Sequence, residues 1–92
     1  MPHGDHKITL IFIINGANFP VDANVNDPLK EAVERALRES GNTGRPLSDW
    51  QVRDANGVLL DIDRKIKDLG LRNGARLFLT LAVGAGGAPQ NR

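Results

Sequence analysis

The sequence predicts an α+β domain in which one main helix lies across one face of a mixed sheet of four to five strands. Three observations carry that prediction. Asn15-Gly16 joins two runs of alternating apolar residues, an apolar stripe of helical period follows, and an apolar run over residues 76–83 closes the pattern. Asn-Gly between alternating runs signals a two-residue hairpin loop, because both central positions of a type I′ turn need φ > 0. Such a loop fixes the register. Ile14 then faces Ala17, Phe12 faces Phe19, Leu10 faces Val21 and Ile8 faces Ala23. All eight are apolar and share one face, while Asn18, Pro20, Asp22 and Asn24 take the other. The turn and the period of two agree independently.

Asp27-Pro28 is expected to open the helix. The Asp27 carboxylate would accept from a free backbone N–H, and Pro28 would take the first helical position. Leu29, Ala32, Val33, Ala36 and Leu37 fall at i, i+3, i+4, i+7 and i+8, a single apolar stripe. Glu31–Arg35 and Glu34–Arg38 are expected i,i+4 pairs on the solvated side, and Gly41 is the expected stop. With one apolar face, the helix must cover the hairpin. Residues 42–48 read as a loop. Residues 50–53 alternate, with Trp50 and Val52 inward. Residues 54–57 are a turn, 58–60 a short strand, and Ile66 and Leu69 belong to a helical turn that Gly70 ends. Asn73-Gly74 is a turn before the last strand, which sends Leu77, Leu79 and Leu81 inward. The organisation is thus a short arm (1–6), one domain (7–83) and a tail (84–92) without a bulky apolar residue.

Composition narrows the functional classes. The chain has 92 residues, of which 40% are apolar and 25% charged, with a net charge of +1. That is enough for one small globular domain. Charges of both signs are interspersed, so no nucleic-acid or anionic-membrane surface is expected. There is no cysteine, which excludes disulfides, thiolate metal sites and a cysteine nucleophile. No apolar run is long enough to span a bilayer, and residues 1–6 lack the apolar stretch of a signal peptide. A cytoplasmic protein is expected.

No catalytic constellation emerges. His3 and His6 have the spacing of a loose metal pair but no third ligand nearby. Asp61 and Asp63 sit one residue apart in a turn, where carboxylates serve turn chemistry. Gly41-Asn-Thr-Gly44 lacks the lysine and spacing of a phosphate loop. No enzyme activity, cofactor or metal is expected. Lys7, Lys30, Lys65 and Lys67 are the only lysines and read as solvated surface, each also an available amine for chain extension.

From Trp50 onward the chain resembles ubiquitin and its relatives. Val52-Arg-Asp-Ala-Asn-Gly-Val-Leu-Leu60, then Ile66-Lys-Asp-Leu-Gly-Leu71, then residues 77–83 and Gly86-Gly87 follow the ubiquitin-like order of strand, glycine turn, strand end, helical turn, final strand and di-glycine. The resemblance covers about residues 7–87 as a pattern and implies the β-grasp fold. It also implies three functional classes: protein modifiers, sulfur carriers that end in a thiocarboxylate, and non-covalent binding modules. Fold alone does not choose among them.

The tail carries the choice. A modifier is activated at its terminal carboxylate, which must thread a narrow channel, so glycine suits the last positions. Gly84, Ala85, Gly86 and Gly87 span at most about 14 Å. Ala88 and four further residues follow Gly87, as in a precursor that a peptidase trims between Gly87 and Ala88. The extension favours a processed modifier over a sulfur carrier. The resemblance is to bacterial ubiquitin-like modifiers, and it implies as partners an ATP-dependent activating enzyme, a conjugating enzyme, a JAB-type zinc peptidase and target proteins, some in antiphage defence. Ala82 follows Leu81 where ubiquitin has an arginine, and Gln51, Arg53 and Thr80 stand near positions that are apolar in ubiquitin; ubiquitin's own enzymes and receptors are therefore not the expected readers. Register instead places Ile11, Ile13 and Phe78 together on the sheet face opposite the helix, a candidate partner-binding patch.

Overall fold

The computed structural model describes residues 7–82. In chain order it has β1 (Lys7–Ile14), β2 (Ala17–Asn24), α1 (Leu29–Glu39), a 3-10 turn at Leu47–Asp49, β3 (Trp50–Arg53), a second 3-10 turn at Ile66–Leu69, and β4 (Arg76–Leu81). The four strands are ordered β2-β1-β4-β3. β1 is antiparallel to β2 and parallel to β4, and β3 is antiparallel to β4. One helix covers one face of this mixed sheet, the β-grasp arrangement.

The hairpin has the register that its turn dictates: Ile14 opposite Ala17, Phe12 opposite Phe19, Leu10 opposite Val21 and Ile8 opposite Ala23. Asn15 (φ 53°) and Gly16 (φ 83°) supply the two positive φ angles. Leu10, Phe12, Ile14 and Val21 are buried there beneath Leu29, Ala32, Val33, Ala36 and Leu37 of α1. Trp50 and Val52 of β3 and Leu77 and Leu79 of β4 complete that core. Ile8, Phe19, Leu60 and Leu81 pack at its margin, half-buried. Ile66 joins the centre, fully buried from its 3-10 turn.

The start of α1 is built differently from the expectation. Pro28 is not the first helical residue; it is the flanking cap, extended at φ −67° and ψ 147°, and no side chain caps the helix. The Leu29 and Lys30 N–H groups donate instead to the carbonyls of Arg64 and Ile62, at 2.9 Å each. Ile66 and Lys67 return the pairing by donating to the carbonyls of Asp27 and Val25. The orphan donors of the first turn are thus met by backbone from a distant segment, which leaves the Asp27 carboxylate no capping role. The other end follows the expectation. Gly41 (φ 80°) donates to the Arg38 carbonyl and Asn42 to that of Leu37, a Schellman closure. Gly41→Ala is expected to cost about 1–2 kcal/mol, from forcing a Cβ into the left-handed region; thermal denaturation measures it.

Three further expectations are corrected. Residues 58–60 form no strand. Leu59 makes an isolated bridge to Arg53, and Leu60 N–H donates to the Val52 carbonyl. The turn at residues 54–57 is tied by the Asp54 carboxylate, which accepts from the Asn56 and Val58 N–H groups, and this tight loop ends regular pairing early. The last strand stops at Leu81 rather than at residue 83. Arg35, expected to pair with Glu31, reaches the Asp22 carbonyl on the outer edge of β2.

Beside that contact, the Asn24 carbonyl accepts from Asp27 N–H. Pro20 lies opposite Ile11, whose own N–H is turned toward the β4 side, so the imino nitrogen of Pro20 faces outward. The β2 edge of the sheet is therefore short of free pairing groups.

Candidate functional site

The sheet face away from α1 is where the sequence places its partner-binding patch, and strand register assembles it. Ile13 stands directly opposite Phe78 on β4, and Ile11 stands between Pro20 and Arg76. Directly opposed residues share a face with Cβ atoms in contact range. Ile11 and Ile13 are half-buried, and Phe78 is 38% exposed. The three expected residues are thus brought together.

The structure adds a residue that sequence reasoning assigned to a strand end. Leu59 bridges to Arg53, and Arg53 stands opposite Phe78, so one row crosses the open face from Leu59 through Arg53 and Phe78 to Ile13. Leu59 and its neighbour Val58 are 52% and 55% exposed. The Arg53 guanidinium is held over this row by the Gly57 carbonyl (3.3 Å) and the Gln51 Oε1 (3.4 Å). Arg76 lies exposed beside Ile11. The surface is apolar with arginine at two points, suited to a partner that brings apolar side chains and carboxylates. The signal for Leu59 was present in the sequence: the Asp54–Gly57 turn returns the chain onto Arg53, which fixes the face of whatever opposes it.

The route to the tail is set by β4. Parallel pairing places the end of β4 beside the Asn15-Gly16 turn at the end of β1. Ala82 N–H donates to the Asp49 carbonyl at 2.8 Å, which holds the outgoing chain against the start of β3. Gly84, Ala85, Gly86, Gly87 and Ala88, the candidate conjugation and processing residues, lie outside the described residues, as do the arm at 1–6 with His3 and His6. The four lysines are all exposed; Lys30 pairs with Asp63 at 3.8 Å. Asp61 uses its carboxylate to accept from the Asp63 N–H, a local turn contact. Among the described residues no group of three or more His, Asp or Glu side chains is placed to hold a metal ion. No helix there is long and apolar enough to cross a membrane.

Comparison with solved structures agrees with this architecture. A de novo design based on ubiquitin superposes with a TM-score of 0.73 at 19% identity, over 92% of this chain and 100% of that one. The ubiquitin of Caldiarchaeum subterraneum gives 0.69 at 12% identity, over 87% and 99%. At those identities the likeness is one of fold, and the fold is ubiquitin-like. In sequence the chain is similar to the protein y4jI of Sinorhizobium fredii, 41% identical over 85 residues. Those residues are 92% of this chain and 65% of that relative, so the chain spans less than two thirds of its length. Residues 3–87 match the family described as "Protein of Unknown function (DUF2604)", and the chain belongs to that family.

Proposed function

We propose that this chain is a ubiquitin-like protein modifier precursor, trimmed after Gly87 and joined through that glycine to amines on target proteins. The observation that carries the reading is positional: in sequence four residues separate Gly86-Gly87 from the last strand of a ubiquitin-like body, which ends at Leu81, and the family match runs through Gly87. A JAB-type zinc peptidase hydrolyses the Gly87–Ala88 bond, water supplying the hydroxyl to the Gly87 carbonyl and a proton to the Ala88 amine. In an ATP-dependent activating enzyme, the new carboxylate attacks the α-phosphate and pyrophosphate leaves. An enzyme thiolate then displaces AMP to form a thioester, which passes to a conjugating enzyme. A lysine amine attacks the thioester carbonyl, releases the thiol, and an isopeptide bond remains. The domain is substrate and handle in these steps, not catalyst. The setting is the cytoplasm of a bacterium, with antiphage defence as the role that the resemblance implies.

Mass spectrometry of the protein from its native cell tests the reading. A Gly87 isopeptide on lysine is the expected product. A thiocarboxylate at Gly87 replaces it with a sulfur carrier, and an intact Arg92 with a binding module.

The open face is the docking surface for these enzymes in this reading. Ile13→Asp places a charge in the row between Phe78 and Asn18. It is expected to weaken binding to the activating or processing enzyme at least about tenfold, as loss of a central interface side chain does. Unchanged binding to both, by titration calorimetry, removes the patch from the mechanism.

A further inference from the structure

The four lysines of the chain stand at one end of the domain. Lys7 opens β1, and Asn24, the last residue of β2, stands opposite it. From there the chain passes through Val25 and Asp27 into α1, so Lys30, in the first turn of the helix, belongs to that same end. Backbone bonds draw the segment around residue 65 to it. Ile66 and Lys67 N–H donate to the Asp27 and Val25 carbonyls, and Lys65 bridges to Pro28. Lys7, Lys30, Lys65 and Lys67 thus share the pole where β1 and α1 begin, and all are exposed.

β4 runs parallel to β1 and leaves by the other pole. Their ladder closes with Ile14 opposite Leu79, and β4 continues to Leu81. Arg38 and Arg45 stand at that end, in the wall of the hollow between α1 and the loop after it. A guanidinium stays protonated and is no acyl acceptor. Nine residue rises along β1 and β4 separate Lys7 from the level of Leu81, about 30 Å at the spacing of a strand. The six residues from Leu81 to Gly87 reach at most about 21 Å in any conformation. A lysine side chain does not close that gap, and the path must also pass around the body of the domain.

We infer that copies of this chain join one another strictly head to tail, Gly87 of one copy to Lys65 or Lys67 of another, and that no copy closes on itself. The inference rests on the modifier reading. The acceptor Nζ attacks the Gly87 thioester carbonyl of the donor copy, the thiol leaves with the proton, and an isopeptide bond joins opposite poles. Lys65 and Lys67 are the best-presented amines of the pole. They flank Ile66, which is fully buried, and the Lys65 and Lys67 carbonyls accept from Asp68 and Gly70 N–H. An amine on pinned backbone loses less freedom when it is positioned at a reacting carbonyl. Lys30 is held by Asp63 at 3.8 Å, a contact that must be given up before its amine attacks. Lys7 is paired to Asn24 of β2, while the β4 ladder begins only at Ile11. Links at the poles leave the row of Ile13 and Phe78 in the middle of the sheet open on every unit. A joined series therefore repeats one docking surface, which a multivalent partner grips by effective concentration.

The test mixes ¹⁵N-labelled and unlabelled full chain with its peptidase, activating enzyme, conjugating enzyme and ATP, and maps the isopeptides by mass spectrometry. Links from Gly87 to Lys65 or Lys67 that combine labelled with unlabelled peptide are expected. The double variant Lys65→Arg, Lys67→Arg is expected to lose the links between copies, and Lys7→Arg, Lys30→Arg to keep them. Links that persist at Lys7 or Lys30 in the first variant overturn the inference. A single copy closed on itself, seen as isopeptides that never mix labels, also overturns it. Adducts on other proteins without links between copies remove this inference alone, whereas the absence of any Gly87 adduct removes the modifier reading and this inference with it.

Discussion

Replacing Gly86 and Gly87 together by valine is expected to eliminate covalent adducts when the full chain is incubated with its peptidase, activating enzyme, conjugating enzyme and ATP. The unmodified chain is expected to yield first a product ending at Gly87 and then adducts on target amines. The physical reason is steric. In the proposed modifier reading Gly87 presents the carbonyl that is hydrolysed, adenylated and attacked, and Gly86 enters the same channel one residue behind it. A β-branched side chain at either position fills space that an extended glycine backbone leaves open. Loss of orientation at a reacting carbonyl removes several powers of ten in rate, so the expected signal is absence of adducts. Gel electrophoresis and intact mass read it directly. Normal conjugation by the double variant, or adducts formed through another residue, would sink the modifier reading. Both substitutions lie beyond β4, and the denaturation midpoint is expected to stay unchanged, which separates a chemical defect from a folding defect.

Phe12→Ala is expected to have the largest effect on stability. Phe12 is fully buried, with Phe19 opposite it on one side and Leu77 on the other, beneath the apolar stripe of α1. Truncating a buried phenylalanine costs about 3–5 kcal/mol, from lost transfer free energy and the cavity left behind. Domains of this kind hold about 5–15 kcal/mol in total, so the variant loses a large share of its margin. Urea denaturation of the full chain measures the difference. A loss below about 1 kcal/mol, the level of an ordinary surface change, would contradict the helix-on-sheet core. Leu37→Ala, at the other end of that core, is expected to cost about 2–5 kcal/mol by the same mechanism.

The parts of the fold legible in the sequence are those fixed by local rules that agree with one another. Asn15-Gly16 set the hairpin loop, the period of two set its faces, and Ile11, Ile13 and Phe78 followed onto the open face by parity. Gly41 and Gly70 marked their stops because each needs a positive φ, and both have one. The start of α1 was not legible. Its donors are met by carbonyls of Arg64 and Ile62, more than thirty residues away, and Asp27-Pro28 reads as a side-chain cap until that partner is seen. Leu59 was misassigned for a related reason. A single bridge to Arg53 gives the same alternation as a strand but leaves the side chain on the surface. Ile66 was seen only as part of a helical turn, and its place at the centre of the core depends on how residues 62–67 return to α1. Of the candidate site, the patch rests on register and was readable. The di-glycine was readable as a chemical pattern, and it lies outside the described residues.

The outer edge of β2 has a consequence for the life of the protein at high concentration. An open strand edge is a template on which another copy can polymerise, and the apolar, β-branched run of β1 beside it has the composition of a fibril former. Here the row that a stranger would meet is interrupted at Pro20, which offers no donor, and at Asp22 and Asn24, whose carbonyls are already engaged by Arg35 and Asp27. Stacking in register is broken along the length of the strand. The β2 edge is thereby a poor template while the domain is folded, and it becomes an open one when α1 has detached from the sheet and Arg35 has let go of the edge.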